Sequence, residues 1–198
     1  MKQHLARVML RLTRWNVDGE RPSDTAYVLI AAPHTSNWDL LYMLLVSLHY
    51  DVRISWLGKH SLFRGPLGPV MRALGGVPVR RDQRTQMVSD LAGQFRDADR
   101  LVLAIPPEGT RGRADWWKSG FYRVAEAADV PIVCAYLDYP SRTGGFGTSI
   151  TPTGDVGSDM DEIRAFYSGI VAKYPDDAGP VRLRAEEPAA AEEPAASA

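Results

Sequence analysis

Cysteine is almost absent from this chain, and long apolar runs are absent altogether. The single cysteine, Cys134, excludes an intrachain disulfide and a metal site built from several cysteines. Because Cys134 lies within the apolar run 132–135, we expect a small buried side chain there rather than a reactive thiol. No apolar stretch reaches the roughly 18 residues that a membrane-spanning helix needs, so we expect no such helix.

The sequence also lacks a secretory signal and a strong net charge. Arg7, Arg11 and Arg14 interrupt any apolar centre near the N-terminus, and we therefore expect a cytoplasmic protein. The whole chain carries 23 basic and 24 acidic residues, but four of the acids fall within the last 13 residues, so the remainder is mildly basic. This excess is too small for a nucleic-acid-binding protein, and it fits an anionic substrate or an anionic surface.

The length and composition predict one main domain with short extensions at both ends. A chain of 198 residues with 45% hydrophobic composition can bury one substantial core. From residue 185 onward the composition collapses to Ala, Glu and Pro, which predicts a disordered tail over 185–198. Residues 1–16 carry an amphipathic pattern of their own, and the main domain is therefore predicted to span 17–184.

The N-terminal segment combines apolar side chains at helical spacing with a group of cations. The apolar members are Leu5, Val8, Met9, Leu12 and Trp15, and the cations are Lys2, Arg7, Arg11 and Arg14. This pattern is typical of an amphipathic helix that lies in a membrane interface with its cations toward anionic lipid. A helix packed on the protein core with a solvated basic face would show the same pattern, so both interpretations stay open.

Apolar runs and helical periodicities alternate along the main domain. We predict strands at 27–32, 52–57, 77–79, 101–105, 131–137 and 148–152, and helices at 40–48, 67–74, 85–99, 119–128 and 160–174. The short strand 77–79 is expected at an edge because Pro78 cannot donate a ladder hydrogen bond. The alternation predicts an α/β fold with a mixed, largely parallel sheet flanked by helices on both faces.

A histidine and an aspartate stand where the first buried strand ends. His34 follows Pro33 directly, and Asp39 falls in the first turn of the next predicted helix. Proteins of this class place chemistry at such strand ends, and a histidine held by a carboxylate is fixed in tautomer and becomes a better general base. An alternative stays open, because Ser36 and Asp39 have the spacing of a capping box that would serve only the helix start.

Three later loops at strand ends also carry charged side chains. Glu108, Gly109, Thr110 and Arg111 follow the strand at 101–105, Lys59 follows the strand at 52–57, and Arg80 and Arg81 follow the strand at 77–79. Gly109 permits a tight backbone path, and the planar fork of Arg111 suits a phosphate or a carboxylate. Each loop alone could be an ordinary turn with a surface charge, but four such loops together favour a shared cleft.

In this order the four stretches resemble a known family, the acyltransferases that acylate glycerol phosphate and lysophosphatidic acid. The family's first motif, a histidine followed after four residues by an aspartate, is matched by His34 and Asp39. Its second motif runs from a lysine to a Gly-Ile-Pro-Val-like strand ending in arginine, and it is matched from Lys59 to Arg81. Its third motif, Phe-Pro-Glu-Gly-Thr-Arg, is matched at 107–111.

The fourth motif and three departures complete the resemblance, which covers residues 27–140. Val-Pro-Ile-Val is matched at 130–133, but Cys134 takes the position of a proline. Pro106 replaces the phenylalanine of the third motif, and Arg80 stands where the family often has an acidic residue. These departures bear on the acceptor more than on the reaction.

The resemblance implies an acyltransferase mechanism. His34, oriented by Asp39, would remove the proton from an acceptor hydroxyl as it attacks the thioester of acyl-CoA or acyl carrier protein, with no metal and no cofactor. Arg111, Lys59 and Arg81 would hold the acceptor's phosphate, and Glu108 would position glycerol hydroxyls or these cations. Gly109 and Thr110 would also belong to the substrate-binding residues. The implied acceptor is a lysophospholipid, foremost 1-acylglycerol-3-phosphate, which would give phosphatidic acid.

Location and alternatives follow from the same resemblance. Small bacterial members of this family sit on the membrane surface, so we expect a peripheral protein on the cytoplasmic face of the cell membrane. Another lysolipid or a glycolipid as acceptor, and a non-catalytic lipid-binding relative, remain alternatives. A serine hydrolase is disfavoured because no Gly-x-Ser-x-Gly occurs in the chain.

Overall fold

The structure, a computed structural model, describes residues 2–79 and 84–186. Its strands are β1 (Asn16–Asp18), β2 (Ala26–Ala31), β3 (Ile54–Lys59), β4 (Gly76–Val79), β5 (Leu101–Ile105), β6 (Ile132–Asp138) and β7 (Thr143–Ile150). Its α-helices are α1 (Lys2–Leu12), α2 (Trp38–His49), α3 (Gly68–Ala73), α4 (Arg84–Asp97), α5 (Gly120–Ala128) and α6 (Val156–Tyr167). Short 3₁₀ helices cover His60–Phe63, Pro175–Asp177 and Arg184–Glu186.

The strands form a seven-stranded sheet in the order β1-β7-β6-β2-β5-β3-β4. Strand β2 pairs in parallel with both β5 and β6, and β3 pairs in parallel with both β5 and β4. Strand β7 pairs antiparallel with β6 and parallel with β1. The predicted mixed, largely parallel sheet is therefore confirmed, and so is the edge position of β4, where Pro78 needs no donor.

Apolar side chains of β2 lie at the centre of two hydrophobic clusters, one on each face of the sheet. Val28 and Ile30 face one side, where they pack with side chains of α4, α5 and α6, and Tyr27 and Leu29 face the other side, toward α2. All four are at most 1% exposed, as expected for a strand with helices on both faces. This double burial explains why the sequence of β2 is continuously apolar rather than alternating.

The register of the central strands brings predicted catalytic and binding residues to one edge of the sheet. Ile30, near the end of β2, pairs with Ile105 at the end of β5 and with Cys134 of β6. Because these strands are parallel, the loops that leave β2 and β5 begin at the same level. His34 and Glu108 lie on those two loops, and the sheet therefore places them side by side.

The antiparallel strand β7 begins earlier than predicted, at Thr143 instead of residue 148. Gly144, Gly145 and Gly147 occupy its first half, and glycine has a low strand propensity that concealed it in the sequence. A Cβ at Gly145 would stand 1.8 Å from the carbonyl oxygen of Asp18 in β1, so the glycine permits the close approach of these two strands. Strand β1 itself, only three residues long, was not predicted.

Helix α6 spans Val156–Tyr167, whereas the periodicity predicted residues 160–174. It begins earlier because the side chain of Asp155 accepts a hydrogen bond from the backbone N–H of Ser158, which caps the first turn. It ends at Tyr167, so the predicted continuation of the helix through Val171 is wrong. Val171 is 39% exposed rather than buried, while Ile163 is fully buried as expected.

The C-terminal limit of the described residues falls at Glu186, just inside the predicted tail. The carboxylate of Glu186 accepts hydrogen bonds from the Arg164 guanidinium and from the backbone N–H of Leu183. The first two residues of the predicted tail, 185 and 186, therefore belong to the described part of the chain. Residues 187–198 lie outside the described part of the chain.

Helix α1 packs on the rest of the protein with one side and exposes another. Ala6 and Leu10 are buried in a cluster with residues of α2. The opposite apolar side chains are exposed, with Leu5 60% and Leu12 79% accessible. Trp15, predicted to share that face, is only 6% exposed, so it belongs to the core. Among residues 2–79 and 84–186, no helix is long and apolar enough to cross a membrane.

Candidate active site

The loop between β2 and α2 holds His34 against Asp39. The Nδ1 atom of His34 lies 3.0 Å from Oδ2 of Asp39, and Asp39 is only 6% exposed. The same Oδ2 accepts hydrogen bonds from the backbone N–H groups of Thr35, at 3.0 Å, and Ser36, at 2.9 Å. The carboxylate therefore orients the imidazole and ties down the start of α2 at the same time, so the two interpretations of Asp39 are compatible.

Hydrogen bonds keep the Asp39 carboxyl in its charged form. Burial alone would raise its pKa, but hydrogen bonds from His34, Tyr139 and the Ser36 backbone outweigh burial and hold the pKa below its usual value. An ionised Asp39 favours the Nδ1–H tautomer of His34 and stabilises the imidazolium that forms when Nε2 takes a proton. This arrangement suits a general base.

Tyr139 is a member of the site that the sequence did not reveal. Its hydroxyl donates a hydrogen bond of 2.6 Å to Oδ1 of Asp39, the carboxylate oxygen that does not face His34. Its ring stands edge-on to Trp15, which in turn stacks on Tyr42 of α2. Tyr139 directly follows the last residue of β6, so the strand-end argument applied to His34 was also available here.

Glu108 lies beside His34 in a buried position. Its Oε1 atom accepts a hydrogen bond of 3.1 Å from the backbone N–H of His34, while Oε2 is buried with no hydrogen-bond partner among the described residues. Burial raises the pKa of the Glu108 carboxyl, and hydrogen bonds from the backbone lower it by less. One oxygen thus remains to accept a bond from a substrate hydroxyl.

Replacing Glu108 by glutamine is expected to make the protein relatively more stable as the pH rises. A raised pKa in the folded state means that the wild-type stability contribution is present below the ordinary carboxyl pKa of 4.5 and is lost as pH rises through the folded-state pKa. Glutamine does not titrate. Urea unfolding from about pH 4 to about pH 8 should therefore show the free-energy difference moving in favour of the variant.

The matched control for this pH series is Glu126→Gln, at an exposed position on α5. The difference in unfolding free energy between this control and the wild type is the reference for the series. A pH dependence of the Glu108→Gln difference no larger than that of the control would contradict a buried carboxyl with a raised pKa.

The loop after β5 brings Arg111 to the start of α2. The Arg111 guanidinium donates a hydrogen bond to the side-chain oxygen of Asn37, next to the helix start. Gly109 has a φ of +63°, and a Cβ there would stand 2.5 Å from Nζ of Lys118. A side chain at Gly109 would thus be both strained and obstructed. Thr110 is exposed, and its hydroxyl accepts from the backbone N–H of Gly112 at 3.4 Å.

Of the remaining predicted cations, Lys59 lies farther along the same edge of the sheet. Lys59 is exposed at the end of β3, which is separated from β2 by β5. The structure thus places Lys59 at the predicted edge, one strand farther out than the loop of Glu108. Arg81, like Arg80, lies outside the described residues, so its predicted place in the site stays a prediction.

Two cavities adjoin the His34 loop, and they differ in character. The first has a volume of about 100 Å³, lies between α2 and the sheet, and is walled by His34, Asp39 and apolar side chains such as Leu40, Met43 and Trp56. The second has a volume of about 330 Å³ and opens to solvent. Its lining residues are Thr35, Ser36, Asn37, Trp38, Arg111 and Tyr174. One cavity suits a hydrocarbon chain and the other suits a polar, anionic group.

Comparisons with known proteins bear on the family and the fold of this chain. The profile of the family described as Acyltransferase matches residues 14–138. The crystal structure of the 1-acyl-sn-glycerophosphate (LPA) acyltransferase, PlsC, from Thermotoga maritima superposes with a TM-score of 0.58 and 15% sequence identity. The match covers 81% of this chain and 72% of that chain. No protein of curated function matches the sequence. At this identity the likeness between the two structures shows a shared fold.

Proposed function

This chain belongs to the acyltransferase family, and we propose that it moves a fatty acyl group from a thioester donor to the hydroxyl of 1-acylglycerol-3-phosphate, giving phosphatidic acid. The main support for this proposal is the His34–Asp39 pair, whose Nδ1 and Oδ2 atoms lie 3.0 Å apart and which borders an apolar cavity. The solved PlsC, which shares the fold, is described as acting on 1-acyl-sn-glycerophosphate. That description supports the choice of acceptor.

The His34 imidazole is the general base of the proposed reaction. With Nδ1 committed to Asp39, Nε2 removes the proton from the acceptor hydroxyl while the hydroxyl oxygen attacks the thioester carbonyl. The carbon–sulfur bond then breaks, and the imidazolium returns the proton to the leaving sulfur. Asp39 stays ionised throughout and stabilises the imidazolium, as the hydrogen bonds that lower its pKa require.

Acyl-CoA or acyl carrier protein would supply the acyl group, and the apolar cavity under α2 would receive the hydrocarbon chain. Leu40, Met43 and Val46 of α2 face Leu29 and Ala135 of the sheet across this cavity. Because the cavity also borders His34 and Asp39, a chain held there has its carbonyl close to the base. Burial of each methylene group stabilises the complex by about 0.8 kcal/mol.

Charged side chains of the strand-end loops would hold the acceptor. The planar guanidinium of Arg111 can form two parallel hydrogen bonds to a phosphate, and Lys59 and Arg81 are the further cations predicted from the sequence. Glu108 has a buried oxygen without a partner among the described residues, next to the backbone of His34. This oxygen would accept a bond from a glycerol hydroxyl and so orient the acceptor.

Helix α1 would dock the protein on the cytoplasmic face of the membrane, where its lipid substrates reside. Leu5, Val8, Met9 and Leu12 form an exposed apolar face, with the cations Lys2, Arg7 and Arg11 elsewhere on the same exposed helix surface. Apolar side chains would insert at the interface while cations meet anionic lipid, each contributing about 1 kcal/mol near the surface. This proposal uses the exposed side of α1 and leaves its contact with α2 intact.

Replacing Leu5 and Leu12 together by glutamine is expected to weaken binding to anionic vesicles by at least about tenfold, because burying each leucine contributes about 1.5–3 kcal/mol. Glutamine preserves helix propensity, so α1 should still form. Sedimentation with vesicles measures the partitioning. The double replacement by methionine keeps the apolar surface and is the matched control, expected to bind like the wild type. Equal binding by all three proteins would contradict docking through α1.

The proposed function is tested by following thioester consumption with and without 1-acylglycerol-3-phosphate. Turnover that requires the acceptor supports acyl transfer, and mass analysis should identify phosphatidic acid. Thioester hydrolysis without the acceptor would indicate a hydrolase, and binding without turnover would indicate a non-catalytic lipid-binding protein. Turnover that occurs only with other lysolipids or glycolipids would retain the acyltransferase and replace the acceptor.

A further inference from the structure

A segment after α6, residues 168–177, passes over the loop that carries His34. The backbone N–H of Tyr174 donates to the hydroxyl of Thr35 at 3.2 Å, and the backbone N–H of Val171 donates to Asp138 at 2.9 Å. The backbone N–H of Tyr139 in turn donates to the carbonyl of Val171 at 3.1 Å. These bonds fix the segment against the site, although it lies beyond the residues matched by the family profile.

Lys173 in this segment points its ammonium at three aromatic rings. Its Nζ atom lies 5.2 Å from the ring centre of Trp38, 5.8 Å from that of Tyr139 and 5.7 Å from that of Tyr174. Ring faces attract a cation but do not neutralise its charge. No carboxylate forms an ion pair with Lys173 in residues 2–79 and 84–186. The rings therefore hold a net positive charge in a defined position.

Two of those rings also line the open cavity beside the His34 loop. Trp38 and Tyr174 stand in its wall together with Arg111, and they are 52% and 49% exposed. Arg111 lines this cavity, and Lys173 adjoins two of its wall residues, with Nζ 5.2 Å from the ring centre of Trp38 and 5.7 Å from that of Tyr174. No acidic residue is among its lining residues, which otherwise offer the hydroxyls of Thr35 and Ser36 and the amide of Asn37. Two cations with hydroxyl and amide groups match a small dianion.

We propose that Lys173 supplies a further positive charge where Arg111 holds the phosphomonoester group of the lysophospholipid acceptor, an assignment that rests on the proposed function. A phosphomonoester carries a charge of about −1.5 to −2 at neutral pH, so a second cation on the side of Arg111 adds to its neutralisation. The cavity begins at Thr35, directly after His34, so a phosphate bound there lies beside the base that deprotonates the glycerol hydroxyl. Lys173 selects a doubly charged phosphate over a phosphodiester headgroup.

The test compares Lys173→Met, which keeps the long apolar stem among the rings, with Lys173→Arg, which keeps the charge. We expect the methionine variant to raise KM for lysophosphatidic acid about 10- to 100-fold, to leave the KM for acyl-CoA within about twofold, and to change kcat little. Arginine should restore most of the affinity. Inorganic phosphate should compete with the acceptor less well in the methionine variant than in the wild type.

Two further variants are measured beside Lys173→Met for comparison. Arg111→Ala should raise KM for the same acceptor, because it removes the other cation of the subsite. Arg100→Met, at an exposed position directly before β5, removes one positive charge at the opposite end of that strand from the loop of Arg111 and should leave both KM values unchanged. A similar effect of Arg100→Met and Lys173→Met would reduce the role of Lys173 to general electrostatics and overturn the proposal.

The remaining outcomes are also decisive. A raised KM for acyl-CoA instead of the acceptor would assign the cation to the donor's phosphates, and an unchanged KM with a lowered melting temperature would make Lys173 structural. Both results overturn the proposal. If the wild type does not acylate lysophosphatidic acid, the proposed function fails first. Calorimetric titration of a short-chain lysophosphatidic acid into wild type and Lys173→Met then still tests the subsite, and equal affinities would overturn it.

Discussion

Replacing His34 by alanine is expected to lower the rate of acyl transfer by about 10²–10⁴-fold, the usual contribution of a positioned general base. The Nε2 atom proposed to take the acceptor's proton disappears, and the loops after β2 and β5 contain no other histidine. The fold should persist, because Asp39 keeps its hydrogen bonds from the backbone of Thr35 and Ser36 and from Tyr139. Initial rates with saturating donor and acceptor measure the loss.

The purified variant must be shown to be folded before its rate is interpreted. Circular dichroism should match that of the wild type. The melting temperature should fall only modestly, because the His34 side chain is just 23% exposed but Asp39 keeps its other hydrogen bonds. His4→Ala, at an exposed position on α1, is the matched control and should keep full activity on a soluble acceptor. Near-normal turnover by folded His34→Ala protein would refute the general-base role.

Replacing Asp39 by asparagine is expected to lower the rate by a similar factor of about 10²–10⁴ while affecting stability much less. Asparagine keeps one oxygen that can accept from the N–H groups of Thr35 and Ser36, so the start of α2 should survive. It removes the charge that stabilises the imidazolium. Its NH2 group takes the place of Oδ1 and therefore faces the Tyr139 hydroxyl, while the remaining oxygen still faces His34. Comparison of kcat with the free energy of unfolding separates the two roles of the carboxylate.

The stability of the same variant should depend on pH in a defined direction. The pKa of Asp39 is lowered on folding, so its contribution is present above the ordinary value of 3.8 and is lost as pH falls through the folded-state pKa. The wild type should therefore lose its advantage over Asp39→Asn on acidification. Asp39→Ala removes the hydrogen bonds at the start of α2, and it should lower the free energy of unfolding by a further ~0.5–2 kcal/mol. Equal rates and lowered stability in Asp39→Asn would leave only the structural role.

The sequence predicted those parts of the fold that depend on local pattern. The apolar runs of β2, β5 and β6 mark strands buried on both faces, and Pro78 places β4 at the edge. The sequence pattern gave wrong element boundaries where the deciding contact comes from a distant part of the chain, or where a strand contains residues of low strand propensity. Three glycines concealed the first half of β7, and apolar residues after Gly169 resembled a continuation of α6 although the chain leaves the helix at Tyr167.

The same distinction between local and remote contacts applies to the candidate site. His34 and Asp39 are five residues apart, so their pairing follows from a single strand-to-helix turn and could be predicted. Tyr139 reaches Asp39 from 100 residues away, and the backbone of Tyr174 reaches Thr35 from 139 residues away. Those contacts depend on the order of strands in the sheet and on the path after α6, neither of which leaves a signal in a local window. Lys173 was missed for this reason.

The span of these contacts also sets the order in which the site can be completed during synthesis. A nascent chain that has emerged through α2 already contains His34 and Asp39, but Glu108 contacts the His34 backbone from 74 residues further along. Contacts of such long sequence separation form late, because the intervening loop must close first. Until residues 139 and 174 leave the ribosome, the pair has neither the hydroxyl that holds its carboxylate nor the backbone that anchors its loop. The candidate site is therefore complete only after residue 174 has left the ribosome, and a shorter nascent chain has His34 and Asp39 without the contacts that hold them.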